Sequence, residues 1–272
     1  MMNQAWIQEH VDSFIAENRE ALLRDMKTVI DIDSVEAPAE PNAPYGAGVR
    51  KALDAALAIA RDLGLSTGEC DGYMGYADVK GDSDTQLATI THLDVVPAGN
   101  GWDSDPFDMI EKEGWLIGRG VSDDKGPALL TLYMAKFFKE YCDKTGGTLP
   151  YTLRVLLGCS EETGMTDVDY YLERNPMPAF CFTPDAEFPV GYGEKGGFGG
   201  VFVSQKLSGN LRDFAGGVAG NVVPDRASAL VKADFASLQE TENVKLAAEG
   251  DCVRITGYGI GGHASKPQGT VN

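Results

Sequence analysis

Four short runs in this 272-residue sequence each lead into a pair of titratable side chains. The apolar run YTLRVLL, for example, is followed by GCSEETG, so that two adjacent glutamates come after a segment with the composition of a buried strand. In chain order the pairs are His92 with Asp94, Asp123 with Asp124, Glu161 with Glu162, and Asp185 with Glu187. Imidazole and carboxylate groups can act as general acids and bases, and they are also ligands of zinc and similar ions.

We expect these pairs to meet at one edge of a sheet, because ligands of open α/β sheets bind beyond the carboxyl ends of the strands. So many carboxylates in one place need a positive partner. A pair of divalent ions with mixed histidine and carboxylate ligands would supply it, and would lower the pKa of a bridging water to about 7. Each pair alone has a simpler explanation, since adjacent glutamates usually face solvent and an aspartate before a helix is usually an N-cap.

The elements that must position these side chains alternate between helix and strand. Apolar periodicity predicts helices over Gln4–Ile30, Gly48–Leu63, Gly126–Tyr141 and Thr166–Arg174. Strands are predicted over Tyr76–Lys80, Leu87–Thr91, Tyr151–Gly158 and Phe180–Thr183. This alternation is typical of an α/β fold with a mostly parallel sheet and flanking helices.

The local composition of the sequence changes after Glu187, where a glycine-rich stretch precedes β-prone runs at 199–206 and 227–235. We therefore place a domain boundary near residue 188, with a first domain over 1–188 and a second over 189–272.

The composition excludes some classes of function. The formal net charge of −18 argues against a nucleic-acid partner, which needs clustered basic side chains. No stretch approaches the roughly 20 apolar residues that a membrane span requires. The five scattered cysteines contain no Cys-x-x-Cys pair, so that we expect reduced thiols in a cytoplasmic protein.

Four motifs in this order resemble the co-catalytic zinc peptidases of clan MH: THLDVVPAGNGWDSDPF, GRGVSDDKGP, GCSEETG and TPDAEFPVGYGEKG. That family includes carnosinases, Xaa-His dipeptidases, acetylornithine deacetylase and succinyl-diaminopimelate desuccinylase, and the wording here is most similar to its bacterial dipeptidases. The resemblance implies a zinc-exopeptidase-like catalytic domain over 1–188, without its C-terminal part, and a partial α+β lid domain over 189–272.

The resemblance also implies a role for each site residue. His92 and Asp185 would hold the first ion, Asp123 would bridge two ions, and Glu162 would hold the second. Glu161 would be the general base that takes a proton from the bridging water and passes it to the leaving amine. The ions would be zinc, with manganese or cobalt as alternatives.

Further residues follow from the same resemblance. Asp94 would accept a hydrogen bond from the imidazole of His92 and orient it, and the Asp123–Asp124 peptide bond would be cis. In the second domain Asn221, in GNVVPD, would contact substrate. His263, in GIGGHASKP, would contact substrate at the oxyanion of the tetrahedral intermediate.

The function implied is metal-dependent hydrolysis of dipeptides, of Xaa-His type or of broad specificity. Two alternatives stay open: an N-acyl-amino-acid deacylase with the same catalytic residues, and a non-catalytic binding relative. The partner would be a small dipeptide, and both a monomer and a homodimer through the lid are compatible with the resemblance.

The histidine content departs from the family pattern. The chain contains only His10, His92 and His263, and none occupies the late position at which the family completes its second metal site. We therefore expect the chain to be an N-terminal fragment that is inactive by itself and binds its second ion weakly.

Overall fold

A computed structural model describes the following residues: 4–186, 188–193, 199–203, 209–217, 220, 222–264 and 267–271. The chain divides into two compact units, Met1–Glu194 and Lys195–Asn272. Each unit has its own sheet.

The helices of the first unit lie within a few residues of their predicted positions. Their bounds are α1 Gln4–Ile30, α2 Ala47–Asp62, α3 Lys125–Thr145 and α4 Thr166–Leu172. Helix α2 begins after Gly46, where φ is 93° and a Cβ would lie 2.7 Å from the Cβ of Ala37. Helix α3 ends at Gly146, whose φ of 64° is the left-handed conformation that glycine adopts without strain.

Seven strands accompany these helices. Their bounds are β1 Ser66–Cys70, β2 Met74–Val79, β3 Gln86–His92, β4 Ile110–Lys112, β5 Trp115–Ile117, β6 Thr152–Gly158 and β7 Phe180–Phe182. Five of them form one sheet in the order β1-β2-β6-β3-β7, and β4 pairs with β5 in a separate hairpin. Strands β6, β3 and β7 are parallel, whereas β1 and β2 join antiparallel. The predicted α/β fold is confirmed, with its parallel part in the strands that lead into the titratable pairs.

Helices cover both faces of this sheet. Leu87 of β3 packs against the larger apolar cluster, which contains residues of α1, α2 and α3. Its neighbour Ala88 belongs to a second cluster with Tyr171 of α4, as expected because successive side chains of a strand point to opposite faces. Strand β6 lies at the centre, and every one of its residues is buried. The segment after β6 therefore emerges from a fully buried strand.

The second unit is mainly antiparallel β-structure among its described residues. Its strands are β8 Leu211–Gly216, β9 Val222–Val223, β10 Arg226–Val231, β11 Val244–Glu249, β12 Cys252–Tyr258 and β13 Gly262–His263. A four-stranded sheet has the order β11-β12-β10-β8, and β9 pairs with β13. Residues 199–203 of the β-prone run at 199–206 form no strand, and the rest of that run lies outside the described residues.

All five cysteines are free, as the sequence predicted. Within the described ranges, none of the helices combines the length and the apolar composition that a membrane crossing requires.

Candidate metal centre

Three parallel strands bring His92, the two glutamates and Asp185 to one edge of the sheet, and Asp123 reaches the same place from the turn before α3. His92, the last residue of β3, is in register with Gly158, the last residue of β6. The N–H of Leu93 donates to the carbonyl oxygen of Gly158 at 2.9 Å, which ties the two strand ends together. Strand β7 runs beside β3 in the same direction and leads toward Asp185. The carboxyl ends of all three strands consequently share one edge.

The buried imidazole of His92 is surrounded by carboxylates. Its Nε2 lies 3.0 Å from Asp123 Oδ1, 3.4 Å from Asp185 Oδ2 and 3.9 Å from Glu161 Oε2. Two sets of three ligand atoms lie within 4.8 Å of one another: His92 with Asp123 and Asp185, and His92 with Glu161 and Glu162. The five first-unit residues that were predicted to bind ions or act as base are thus brought together.

This donor set fits a divalent cation. One imidazole nitrogen and several carboxylate oxygens are ligands that zinc and similar ions accept. Carboxylates held so close repel one another, and a cation among them removes that cost. The residues present therefore form a group that could hold a metal ion, and they do not specify which ion it would be.

His92 is oriented through its other ring nitrogen. Nδ1 lies 2.9 Å from the main-chain carbonyl oxygen of Asp94, while the Asp94 carboxylate is farther away, with Oδ1 at 3.4 Å. A carbonyl oxygen can only accept, so that Nδ1 carries a proton and Nε2 is the nitrogen that can present a lone pair to an ion. The nearest partner of Nδ1 is thus the main-chain carbonyl oxygen of Asp94, and the carboxylate that was expected to orient the ring lies beside the same nitrogen at a longer distance.

The carboxylate of Asp94 has a different task. Its Oδ1 accepts the N–H of Glu161 at 3.2 Å, and its Oδ2 accepts the N–H of Glu162 at 3.0 Å. Asp94 is fully buried, so that these charge-assisted hydrogen bonds are shielded from water. A single residue therefore fixes His92 through its carbonyl group and the two glutamates through its carboxylate.

The ionisation of the cluster reflects burial and crowding. Burial by itself lowers the pKa of His92, but the carboxylates of Asp123, Asp185 and Asp94 raise it well above its ordinary value. Burial, followed by the charge of Asp123, raises the pKa of Glu162 to about 7. Burial is also the main reason why the pKa of Glu161 is raised. In the metal-free chain the cluster therefore retains protons that a bound cation would displace.

The turn that begins α3 contributes two buried charged residues, Asp124 and Lys125, to which the sequence analysis assigned no role as ion ligand or base. The Asp123–Asp124 peptide bond is cis, as the resemblance predicted. Asp124 Oδ2 accepts the N–H of His92 at 3.0 Å, and burial, then Asp185, raises the pKa of Asp124 to about 8. Lys125 donates from Nζ to the carbonyl oxygen of Ile32 at 2.6 Å. Neighbouring acidic residues in SDDKGP were the available signal, but they did not indicate which carboxylate points inward.

Two of the predicted site residues belong to the second unit. The backbone of His263 lies in β13 opposite Val222, but its side chain is outside the described part of the chain. Asn221 and Glu187 also lie outside the described residues. The roles expected for Asn221 and His263 therefore stay predictions.

Comparison with known proteins gives a family and several similar proteins. The family model described as Peptidase family M20/M25/M40 matches residues 88–249. A Beta-Ala-Xaa dipeptidase of Lactobacillus delbrueckii subsp. lactis is 36% identical over 272 aligned residues, which cover 92% of this chain and 56% of that protein. A putative dipeptidase of Bacillus subtilis (strain 168) is 31% identical, with 95% of this chain and 58% of that protein covered. The chain thus spans about half the length of the curated relatives it matches.

The fold has a counterpart among solved structures. Human carnosine dipeptidase 1 superposes with a TM-score of 0.51 and 22% sequence identity, over 62% of this chain and 38% of that chain. At this identity the likeness supports the fold alone.

Proposed function

The chain belongs to peptidase family M20/M25/M40, and from this premise we propose that its site serves the metal-dependent hydrolysis of the peptide bond of dipeptides. The names of its relatives support a dipeptide substrate, because the two proteins compared above are a dipeptidase and a putative dipeptidase. The observation that carries the proposal is the convergence of His92 with carboxylates that follow β6 and β7 and with Asp123 from the turn before α3.

The roles proposed for the ligands follow the sequence expectation. His92 and Asp185 would hold the first ion, Asp123 would be shared, and Glu162 would bind the second. We propose zinc as the ion, with manganese or cobalt as alternatives, since all three accept imidazole and carboxylate ligands. When bound, such ions would polarise the scissile carbonyl group and lower the pKa of a water molecule toward 7.

Glu161 is the residue that we propose as general base. Its side chain is 42% exposed, so that it can meet both water and substrate, whereas its main chain is held by Asp94. The pKa of Glu161 is raised and so lies nearer to neutral pH than that of an ordinary glutamate, which makes the carboxylate a better proton acceptor in general base catalysis. One carboxylate oxygen of Glu161 would take the proton of the attacking water and then deliver it to the leaving amine. A groove of about 320 Å³ beside Glu161 and His92 offers room for part of a dipeptide.

The substrate class is tested by a side-by-side assay of the protein made from its complete reading frame. The panel contains β-alanyl-histidine, several α-dipeptides and N-acetyl amino acids, with and without chelator and added Zn²⁺. We expect chelator-sensitive hydrolysis of dipeptides that exceeds deacylation. Preferential cleavage of the N-acetyl amino acids would favour a deacylase instead, and loss of all activity from intact, metal-loaded protein would favour a non-catalytic relative.

We also expect the 272-residue chain by itself to be inactive. Its first proposed ion has three ligands, but the second has only Asp123 and Glu162 among the residues assigned here. Comparison of the chain with the product of the complete reading frame, each supplied with Zn²⁺, measures the difference. Robust dipeptide hydrolysis by the 272-residue chain, abolished by chelator, would contradict this expectation.

A further inference from the structure

The segment that bears the two glutamates begins where β6 loses one of its strand partners. The antiparallel pairing with β2 ends at Gly75 and Leu157, before Cys159. The main-chain N–H of Cys159 therefore has no partner from that strand, although Cys159 is fully buried. A buried N–H group without an acceptor is strongly disfavoured, so that the structure must supply one from elsewhere.

Asp167, in the first turn of α4, supplies that acceptor. Its Oδ2 accepts the N–H of Cys159 at 2.6 Å, and its Oδ1 accepts the N–H of Val168 at 2.9 Å. The Asp167 side chain is almost fully buried, which makes its charged oxygen an unusual choice for a purely structural cap. Gly158 leaves the space for it, since a Cβ at that position would lie 2.7 Å from Asp167 Oδ2.

We propose that Asp167 is a positioning residue for Glu161 and Glu162, because it holds the start of the turn whose far end is held by Asp94. Between Cys159 and Glu162, three main-chain N–H groups donate to these two buried carboxylates. The turn is further closed by the N–H of Met165, which donates to the carbonyl oxygen of Ser160 at 2.7 Å. The effect of Asp167 on catalysis rests on the proposed function, whereas its role in holding the turn does not.

Two hydrogen bonds fix the position of α4, the helix that carries Asp167. Tyr45 and Thr166 share a hydrogen bond between their hydroxyl oxygens at 2.7 Å. On the next turn, Tyr171 accepts a hydrogen bond from the buried guanidinium of Arg154 at 2.7 Å. The helix is consequently tied to the loop before α2 on one side of Asp167 and to strand β6 on the other, and these contacts fix the carboxylate that holds the turn.

The test uses three variants of the 272-residue chain. Asp167→Asn keeps the size of the side chain but weakens its acceptor, whereas Gly158→Ala leaves Asp167 intact and displaces its carboxylate. Asp169→Asn is the matched control, because Asp169 is an exposed carboxylate in the same helical turn. Each variant is measured by amide hydrogen exchange at Cys159, Glu161 and Glu162, by Zn²⁺ titration and by thermal unfolding. Glu162→Gln identifies which Zn²⁺ binding event depends on Glu162.

We expect Asp167→Asn and Gly158→Ala to speed exchange at all three amides and to weaken the Glu162-dependent Zn²⁺ binding about tenfold. Asp169→Asn should change neither. In the product of the complete reading frame, Asp167→Asn should lower kcat at least about tenfold and change KM less than twofold. If Asp167→Asn does not fold, Gly158→Ala decides between the outcomes.

A variant that unfolds at a lower temperature but keeps wild-type exchange at Glu161 and Glu162 and wild-type Zn²⁺ affinity would overturn the inference, because Asp167 would then only stabilise the fold. A wild-type chain that binds no Zn²⁺ would instead contradict the proposed function. The exchange measurement would still decide whether Asp167 holds the turn.

Discussion

Glu161 and Glu162 are neighbours in sequence, yet they meet different surroundings. The Glu161 side chain lies near His92 and is partly open to solvent. Burial, and then the charge of Asp123, raises the pKa of Glu162 to about 7. Such a raised pKa is expected of a carboxylate ligand in the absence of its cation. Consecutive side chains that leave a strand point in different directions, which allows one residue to bind and the other to act as base.

Replacement of Glu161 by glutamine removes the base without removing a predicted ligand. We expect Glu161→Gln to lower kcat of the metal-loaded protein at least about a hundredfold, the low end for general acid–base catalysis, and to leave its metal content unchanged. Steady-state kinetics with metal analysis measures both quantities. Glu173→Gln, at an exposed position on the end of α4, is the control and should behave as wild type. A Glu161→Gln protein with wild-type kcat would exclude this residue as the base.

The protons held by the cluster make metal binding depend on pH. His92 has a pKa raised by its carboxylate neighbours against the effect of burial, so that its Nε2 proton must leave when an ion binds at any pH near neutrality. Glu162 adds a second displaced proton once the pH falls below about 7. As the pH is lowered, the apparent Zn²⁺ affinity should therefore fall by about tenfold per pH unit for each proton that the ion displaces. The fall should be steeper below pH 7, where Glu162 also holds a proton.

Calorimetric titration in buffers of different ionisation enthalpy measures this proton release directly. An affinity that is constant between about pH 8 and about pH 6, with no buffer dependence, would show that the cluster holds no such protons.

At this scale the sequence predicted which residue types would meet, but not every contact between them. The ligand-bearing residues follow strand ends, and that pattern is visible in the sequence. The tasks of Asp167 and of the Asp94 carboxylate are hydrogen bonds to main-chain N–H groups, and such contacts leave no periodic signal. Both contacts depend on the register of β6 and on the direction in which α4 starts, which are features of the tertiary structure.

Strand β6 is the element on which the site depends, and a buried ion pair fixes its position beside β2. Arg154 and Asp78 are directly opposite in the antiparallel register. The guanidinium donates from Nε and Nη2 to the two carboxylate oxygens of Asp78, each at 2.8 Å, and from Nη1 to the hydroxyl oxygen of Tyr171. Both charged side chains are almost fully buried, and Asp78 is the carboxylate that compensates the Arg154 guanidinium, while Asp78 is also paired with the exposed Lys80 at 2.8 Å.

Removal of one partner should be costly. Asp78→Ala leaves the Arg154 guanidinium buried without its carboxylate, and we expect the free energy of unfolding to fall by about 3–5 kcal/mol. Urea unfolding measures the change. The exposed pair of Arg174 and Glu173 provides a contrast, since Glu173→Ala should cost about 1 kcal/mol or less. Equal costs for the two variants would mean that the buried pair does not hold β2 and β6 together.

The predictability of the elements follows their length and their burial. The long helices have repeated apolar positions and were found from the sequence, whereas β1, the β4–β5 hairpin, β8, β11 and β12 were not assigned. Strand β1 shows why, because the run Ser66–Cys70 is mostly polar and partly exposed, and pairs only at one edge of the sheet. Residues 199–203 show the opposite case: their composition favours a strand, but no described strand pairs with them. Pairing partners, not local composition, decide such segments.

The chain combines a unit that carries the candidate metal ligands with a second, mainly β unit, and it spans 56% and 58% of the two curated relatives named above. The first unit carries all of the proposed ion ligands. The contribution expected from Asn221 and His263 belongs to the second unit, and we propose it on the strength of the sequence resemblance alone. The strongly acidic composition is consistent with a site that draws cations, while specific binding rests on the cluster around His92.

The most direct test of this account is Zn²⁺ titration of the metal-free 272-residue chain and of two histidine variants. His92→Ala removes the shared nitrogen of both ligand groups, whereas His10→Ala removes a histidine on α1 that stacks on Trp6. We predict that wild type and His10→Ala bind one Zn²⁺ ion tightly with equal affinity. His92→Ala should lose more than the 10–100-fold that is typical for an outer-shell partner. Tight Zn²⁺ binding that survives in His92→Ala would contradict the assignment of this cluster as the metal centre.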